Sequence, residues 1–375
     1  MTKASIVVTT IFEPNFLTGY IENIERYGRA DQVDVIVIPD RKTPPSVREC
    51  CNYFRSRGYA VTCPSIEAQD VFLSKFSNLR ERIPYDSDNR RNVGFLMALD
   101  QGAEVLISID DDNYCLPDTD FVGEHSVVGT SCTAPEITSD DGWFNIATRL
   151  KGEPTVEIYP RGFPYFARHR RRKIGLRQPV LKRVTINAGL WLKDPDVDAI
   201  TRLALAPCIS TADTQSVFLG PEVWSPINSQ NTGIARNSVA AYYYVRMGHS
   251  LSGMSIDRYG DILSGYFVQK CAKVRGDTIR IGGPIAEHQR TPHNPFKDLY
   301  NELGGMVIIE ELLPWLMEVQ IARSSYAEAY LSLADQIEAQ AGNFSGFVWD
   351  QGGRDFLAST AANMRAWVDA VCAIG

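Results

Sequence analysis

The chain has 375 residues, 44% of them hydrophobic and 22% charged, with a net charge of −7. That is globular composition, enough for one large domain or two ordinary ones. The acidic balance argues against a general binder of nucleic acid or of membrane surfaces, and no apolar run approaches the roughly 20 residues that span a bilayer.

In chain order, residues 4–9 (ASIVVT) and 33–39 (VDVIVIP) are short β-branched runs that read as buried parallel strands, with a helix expected between them over FLTGYIENIERYG. Residues 59–63 (YAVTC) read as a third, weaker strand. Residues 92–99 then place Val93, Leu96 and Met97 on one helical face, and residues 104–109 (EVLISI) form a fourth strand. Strands alternating with helices predict an α/β fold with a mainly parallel sheet flanked by helices. Residues 142–226 are irregular and rich in Pro, Gly and aromatics, as expected of loops around a site. Beyond Gly304 the spacing of Tyr326, Tyr330, Leu333 and Ile337, and of Leu357, Met364, Val368 and Val371, predicts helices. The expected organisation is a binding domain over 1–303 and a helical extension over 304–375 packed on it. The N-terminal MTKASIVVTT has no signal-peptide apolar region, and the eight cysteines form no CxxC pair or zinc-ligand spacing, so a reduced, cytoplasmic setting is expected.

The fourth strand runs straight into Asp110, Asp111 and Asp112. Ligands of open parallel sheets bind beyond the carboxyl ends of the strands. Three adjacent carboxylates there suit a hard divalent cation, Mn²⁺ or Mg²⁺, that in turn carries a diphosphate. Asp110 and Asp112 are the expected metal ligands, and Asp111 faces the sugar or the ribose. The plainer reading is an acidic turn or a helix cap. His288 is the candidate third ligand, with His293 in reserve, although a lone histidine is more often structural. Asp261 precedes a helical stretch and is a cap, an orienter of a sugar hydroxyl, or a base.

The segments IDDDNY, YPRGFPY, NAGLWLKDPDVDA, RYGDILSGY and GGPIAEH followed by HNPFKDL occur together in this order. In them the chain resembles the reversibly glycosylated polypeptides, a family that includes the UDP-arabinopyranose mutases of plants. The resemblance implies a GT-A-like (Rossmann-like) fold and a metal-dependent interconversion of the pyranose and furanose forms of a UDP-sugar. Departures lie on the sugar and acceptor side. Asn113 stands where the family usually has cysteine, and RRRKIGLRQPVLKR is unusually basic. A glycosyltransferase that passes the sugar to an acceptor, and a non-catalytic nucleotide-binding partner subunit, are the other two readings. A nucleotide-sugar substrate is the expected partner, without membrane insertion or nucleic acid, and homo-oligomerisation is left open.

By the resemblance Arg161 is the arginine that becomes glycosylated. A guanidinium is charged and has no free lone pair, so a bidentate clamp on the diphosphate is an equal alternative. Arg91 either steers the nucleotide, pairs with the aspartates or lies exposed in a first turn. Thr9 and Thr10 are placed for a base or ribose. Trp191 walls the sugar pocket or sits in the core. The run ARHRRRK is a solvated face or a phosphate-attracting lid.

Overall fold

Four apolar runs near the N-terminus become neighbouring parallel strands in the computed structural model, which describes residues 3–346 and 348–375. These are β1 (Ala4–Thr10), β2 (Val33–Pro39), β3 (Val61–Thr62) and β4 (Val105–Ile109). Ile6, Val7 and Val8 are all buried, so both faces of β1 are covered, as a continuous β-branched run requires. The helix α1 (Asn15–Arg26) follows β1, and α2 (Arg91–Asp100) precedes β4. The expected face of α2 is only part of the picture. Val93 and Leu96 are buried and Met97 is half-buried, but Phe95 is buried too. The helix is enclosed by β1 on one side and the C-terminal helix on the other.

The sheet continues through strands that follow β4 in the chain. Those are β5 (Asn113–Cys115), β6 (Ser131–Ser139), β7 (Ile174–Lys193), β8 (Val217–Leu219), β9 (Asn231–Ala235) and β10 (Thr278–His288). Their order is β3-β2-β1-β4-β9-β7-β6-β8-β10-β5, parallel through β4 and mixed beyond it. The segment expected to be irregular therefore contains β7, a 20-residue strand. Its first half is largely exposed and its second half buried, so most of the basic RRRKIGLRQPVLKR stretch is one end of a core strand.

The helix α3 (Gly260–Arg275) is buried on nearly every side, and α4 (Pro295–Glu318) starts on an Asn294 cap with Pro295 at its first position. It runs across residue 304, so the helical part of the chain begins earlier than the composition change suggests. Gly304 and Gly305 set α4 flush against its neighbours: a Cβ on Gly304 would lie 2.6 Å from the Ser255 carbonyl oxygen, and one on Gly305 2.4 Å from the Tyr259 ring. The last two helices, α5 (Tyr326–Gln340) and α6 (Gln351–Ile374), bury Tyr326, Tyr330, Leu333 and Ile337, and Leu357, Met364 and Val368, as the spacing predicts. They share one core with the sheet, and the Trp367 indole N–H donates to the Val239 carbonyl at 2.9 Å. Among the described residues no helix is long and apolar enough to cross a membrane.

Candidate active site

A cavity of about 360 Å³ opens at the carboxyl ends of the parallel strands. Thr9 and Thr10 end β1, Asp40 follows β2, and Asp110, Asp111 and Asp112 follow β4; all line it. Arg91, Arg161, Asp261 and His288 line it from elsewhere in the chain. Of the residues singled out from sequence, Trp191 does not. It is buried, and it lines a smaller cavity together with Arg161 and Asp196, so its place is in the core rather than on the sugar wall.

The acidic floor is built by strand pairing. β5 runs antiparallel to β10 with Asn113 opposite His288, which sets Asp112 against the imidazole. The His288 Nε2 lies 3.2 Å from Asp112 Oδ2, and its Nδ1 lies 2.7 Å from the Asp194 carbonyl oxygen. Since that carbonyl can only accept, Nδ1 carries the proton. In a neutral ring, Nε2 and a carboxylate oxygen would then be two acceptors facing each other, which needs a cation between them. A proton serves: burial opposes the charge on His288, yet the Asp112 carboxylate holds its pKa above the ordinary value. Burial also pushes Asp111 up to about 6, against the hydroxyl of Thr10, which donates to it at 2.5 Å, while Asp112 and Asp110 add repulsion.

Asp110 takes a different partner. Arg91, only 3% exposed, donates from its guanidinium to Asp110 at 2.6 Å, to Thr9 at 3.1 Å and to the Ser229 hydroxyl at 2.7 Å. Burial raises the Asp110 pKa even so. Arg91 is thus a buried partner of the aspartates and not an exposed first-turn arginine. It also lies over the ring of Tyr244, whose hydroxyl donates to Asp88 at 2.9 Å.

Elsewhere in the lining Arg161 sits between two aspartates. Nε and Nη2 reach Asp196 at 2.9 and 3.0 Å, and Nη1 and Nη2 reach Asp261 at 3.0 and 2.7 Å. Nη1 also donates to the Arg258 carbonyl. All five N–H groups are engaged, so none is left for a phosphate oxygen and the expected clamp is not available in this arrangement. Burial works against the charge, but Asp196 and Asp261 together hold the guanidinium well above its usual pKa, which also opposes a neutral, nucleophilic nitrogen. Asp261 is not a cap: Tyr259 occupies that position, and Asp261 lies in the first turn of α3. Arg258, φ 55°, adopts the left-handed region, and its carbonyl serves Arg161.

Sequence reading missed a basic wall in the same cavity. Arg202, Arg258 and Arg290 line the cavity, held by Asp194 at 3.3 Å, Glu302 at 3.2 Å and Asp298 at 2.5 Å respectively. His293 also lines it, but pairs with Asp298 at 3.2 Å rather than with the aspartate trio. The ARHRRRK run does not form a lid over the site. Its Arg168 is buried on Asp198 at 2.5 Å, Arg172 pairs with Asp141 at 3.0 Å, and Arg170, Arg171 and Lys173 are exposed away from the cavity lining.

For a divalent cation the residues fit in part. Asp112 and His288 meet with an oxygen and a nitrogen donor, and the Nδ1–H of His288 is fixed by a carbonyl, the usual support of a metal-bound imidazole. Asp110 is turned to Arg91, and among the described residues no three His, Cys, Asp or Glu side chains are grouped to hold a metal.

A family model described as "Reversibly glycosylated polypeptide" matches residues 6–374. "Probable UDP-arabinopyranose mutase 4" of Arabidopsis thaliana is 26% identical over 258 residues, 68% of this chain and 65% of that protein. "UDP-arabinopyranose mutase 3" of the same plant is 25% identical over 216 residues, 56% and 53% respectively. The matched region thus spans between half and two thirds of these relatives' own length. Among solved structures, glucosyl-3-phosphoglycerate synthase from Mycobacterium tuberculosis, in complex with Mn²⁺ and UDP-glucose, overlaps 82% of this chain and 79% of its own at 12% identity. Its TM-score of 0.39 is too loose to add to the fold described above.

Proposed function

Since the chain belongs to the reversibly glycosylated polypeptide family, we propose that it interconverts the pyranose and furanose forms of a UDP-sugar of the arabinose type. The observation that carries the reading is the pairing of an under-neutralised acidic floor with a basic wall inside one cavity. The base and ribose rest over Thr9 and Thr10, with Ile11 and Phe12, both exposed and both at the cavity, as an apolar lip. Arg202, Arg258 and Arg290 face the diphosphate and stabilise the charge it gains as the anomeric bond breaks. Asp111, with one oxygen on Thr10, presents the other to a hydroxyl of the ligand. Asp112 and His288 would hold Mn²⁺ or Mg²⁺, with Asp110 kept on Arg91, and the ion would supply Lewis-acid stabilisation of the leaving diphosphate. Arg161 fixes Asp196 and Asp261 and supplies a permanent positive charge beneath the sugar end. Enclosure in the cavity keeps the released sugar beside the diphosphate, so return to the same nucleotide outpaces escape.

The test is incubation of the purified chain with Mn²⁺ and UDP-arabinopyranose, with no acceptor, followed by chromatography of the nucleotide sugars. An isomeric UDP-sugar is the expected product. Slow release of free sugar alone would indicate a transferase, and a thermal shift with no turnover a silent binding subunit.

A further inference from the structure

Exchange of the ring has a proton requirement of its own. In the pyranose form C1 is bonded to O5 and O4 carries a proton; in the furanose form C1 is bonded to O4 and O5 carries it. We propose that Asp88 is the group that moves this proton from O4 to O5, an inference that rests on the ring-interconversion reading above.

The geometry selects Asp88 by elimination among the carboxylates of the cavity. Both oxygens of Asp261 are on Arg161, Asp196 is held by Arg161 and by Asn228, and Asp110 and Asp112 belong to Arg91 and His288. Each of these is bonded to a cationic partner. Asp86 lies 3.8 Å from the Lys42 ammonium, and Asp111 stands in the floor between Asp110 and Asp112 with one oxygen on Thr10. Asp40 spends its oxygens on the backbone N–H groups of Arg41 and Ser87. Asp88 lines the same cavity with no cation bonded to it among the described residues. Its Oδ2 accepts from the Tyr244 hydroxyl at 2.9 Å, while the contact of Oδ1 is the Ser87 hydroxyl at 3.4 Å, long enough for a sugar hydroxyl to displace. The charged and titratable groups facing it are Tyr244, Asp257, Asp261 and Arg91. Burial, then the charge of Asp257, pushes its carboxyl up to about 6, against the Tyr244 hydrogen bond, so it can both take and return a proton near neutral pH.

The step balances without a co-reactant. The diphosphate leaves C1 with the bonding pair. A lone pair of O4 forms the C1–O4 bond and the O4 proton passes to the Asp88 carboxylate. The C1–O5 bond then opens with its pair on O5, which takes the proton from Asp88, and the diphosphate re-forms its bond to C1. Asp88 ends as it began.

The experiment compares wild type with Asp88→Asn, Asp88→Ala and Tyr244→Phe in the full chain with Mn²⁺ and UDP-arabinopyranose. Asp88→Asn should cut interconversion about 10²–10⁴-fold while the thermal shift by the nucleotide sugar is kept. Formate should restore part of the rate of Asp88→Ala. The wild-type rate should fall as pH drops through about 6. Tyr244→Phe removes a donor that favours the charged carboxylate, so this acid limb should move to higher pH even if the Asp88 variants fold poorly. An active wild type with Asp88→Asn within threefold of its rate, or with a limb unmoved in Tyr244→Phe, overturns the role of Asp88 alone. A wild type that interconverts no UDP-sugar overturns the mutase reading and this inference together.

Discussion

Two clusters in the cavity treat buried charge in opposite ways. Around Arg161 every donor and nearly every carboxylate oxygen is matched, with Asp196, Asp261 and the Arg258 carbonyl closing the set. Around the aspartate trio the matching is incomplete: Asp111 has only a hydroxyl, and the Oδ2 of Asp112 is met by His288 only when the imidazole carries its second proton. A saturated cluster is part of the built structure. An unsaturated one, in a site that opens to solvent, is an arrangement whose partner comes from outside.

Three experiments break or sharpen this contrast. The largest effect belongs to the saturated cluster. Arg161→Met leaves two buried carboxylates uncompensated and should lower stability by about 3–5 kcal/mol, read as the midpoint of urea unfolding. A loss under 1 kcal/mol would mean that the cluster is not structural. In the unsaturated cluster Asp112→Asn should leave the unfolding midpoint nearly unchanged, yet weaken Mn²⁺-dependent UDP binding roughly 100-fold, about 2.7 kcal/mol; calorimetry with and without the metal reads this. If Asp112→Asn instead unfolds the chain as Arg161→Met does, the two clusters are alike. The smallest effect is on pH. Asp111 has a folded pKa near 6, above the ordinary carboxyl value, so it holds its proton more tightly when folded. Its share of stability is fully present below about pH 4 and is lost as pH rises through about 6. Between pH 7.5 and 4.5 the metal-free wild type should gain about 1–2 kcal/mol relative to Asp111→Asn. Saturating Mn²⁺ should abolish that difference.

The unsaturated cluster was legible in the sequence and the saturated one was not. An apolar strand that stops on three aspartates announces both its position and its charge, and β1, β2 and β4 follow directly from β-branched runs. The Arg161 cluster joins residues 35 and 100 positions apart, and no local pattern marks such a meeting. Arg161 looked available for phosphate because its partners were invisible. β7 was hidden for another reason: its polar, exposed first half looks like a basic loop, and only pairing with β6 makes it a strand. Asp88 sits in a DSDNR stretch with no local mark of its role, and the lack of a bonded cation beside it among the described residues is a fact of three dimensions.

The seating of α4 reaches further than helix packing. Asp298 and Glu302, which anchor Arg290 and Arg258 at the cavity, belong to the same helix as Gly304 and Gly305. One added carbon at either glycine would collide with the Ser255 carbonyl or the Tyr259 ring and move those anchors together. The placement of Arg258 and Arg290 at the cavity is therefore tied to steric changes at two glycines that line no part of it.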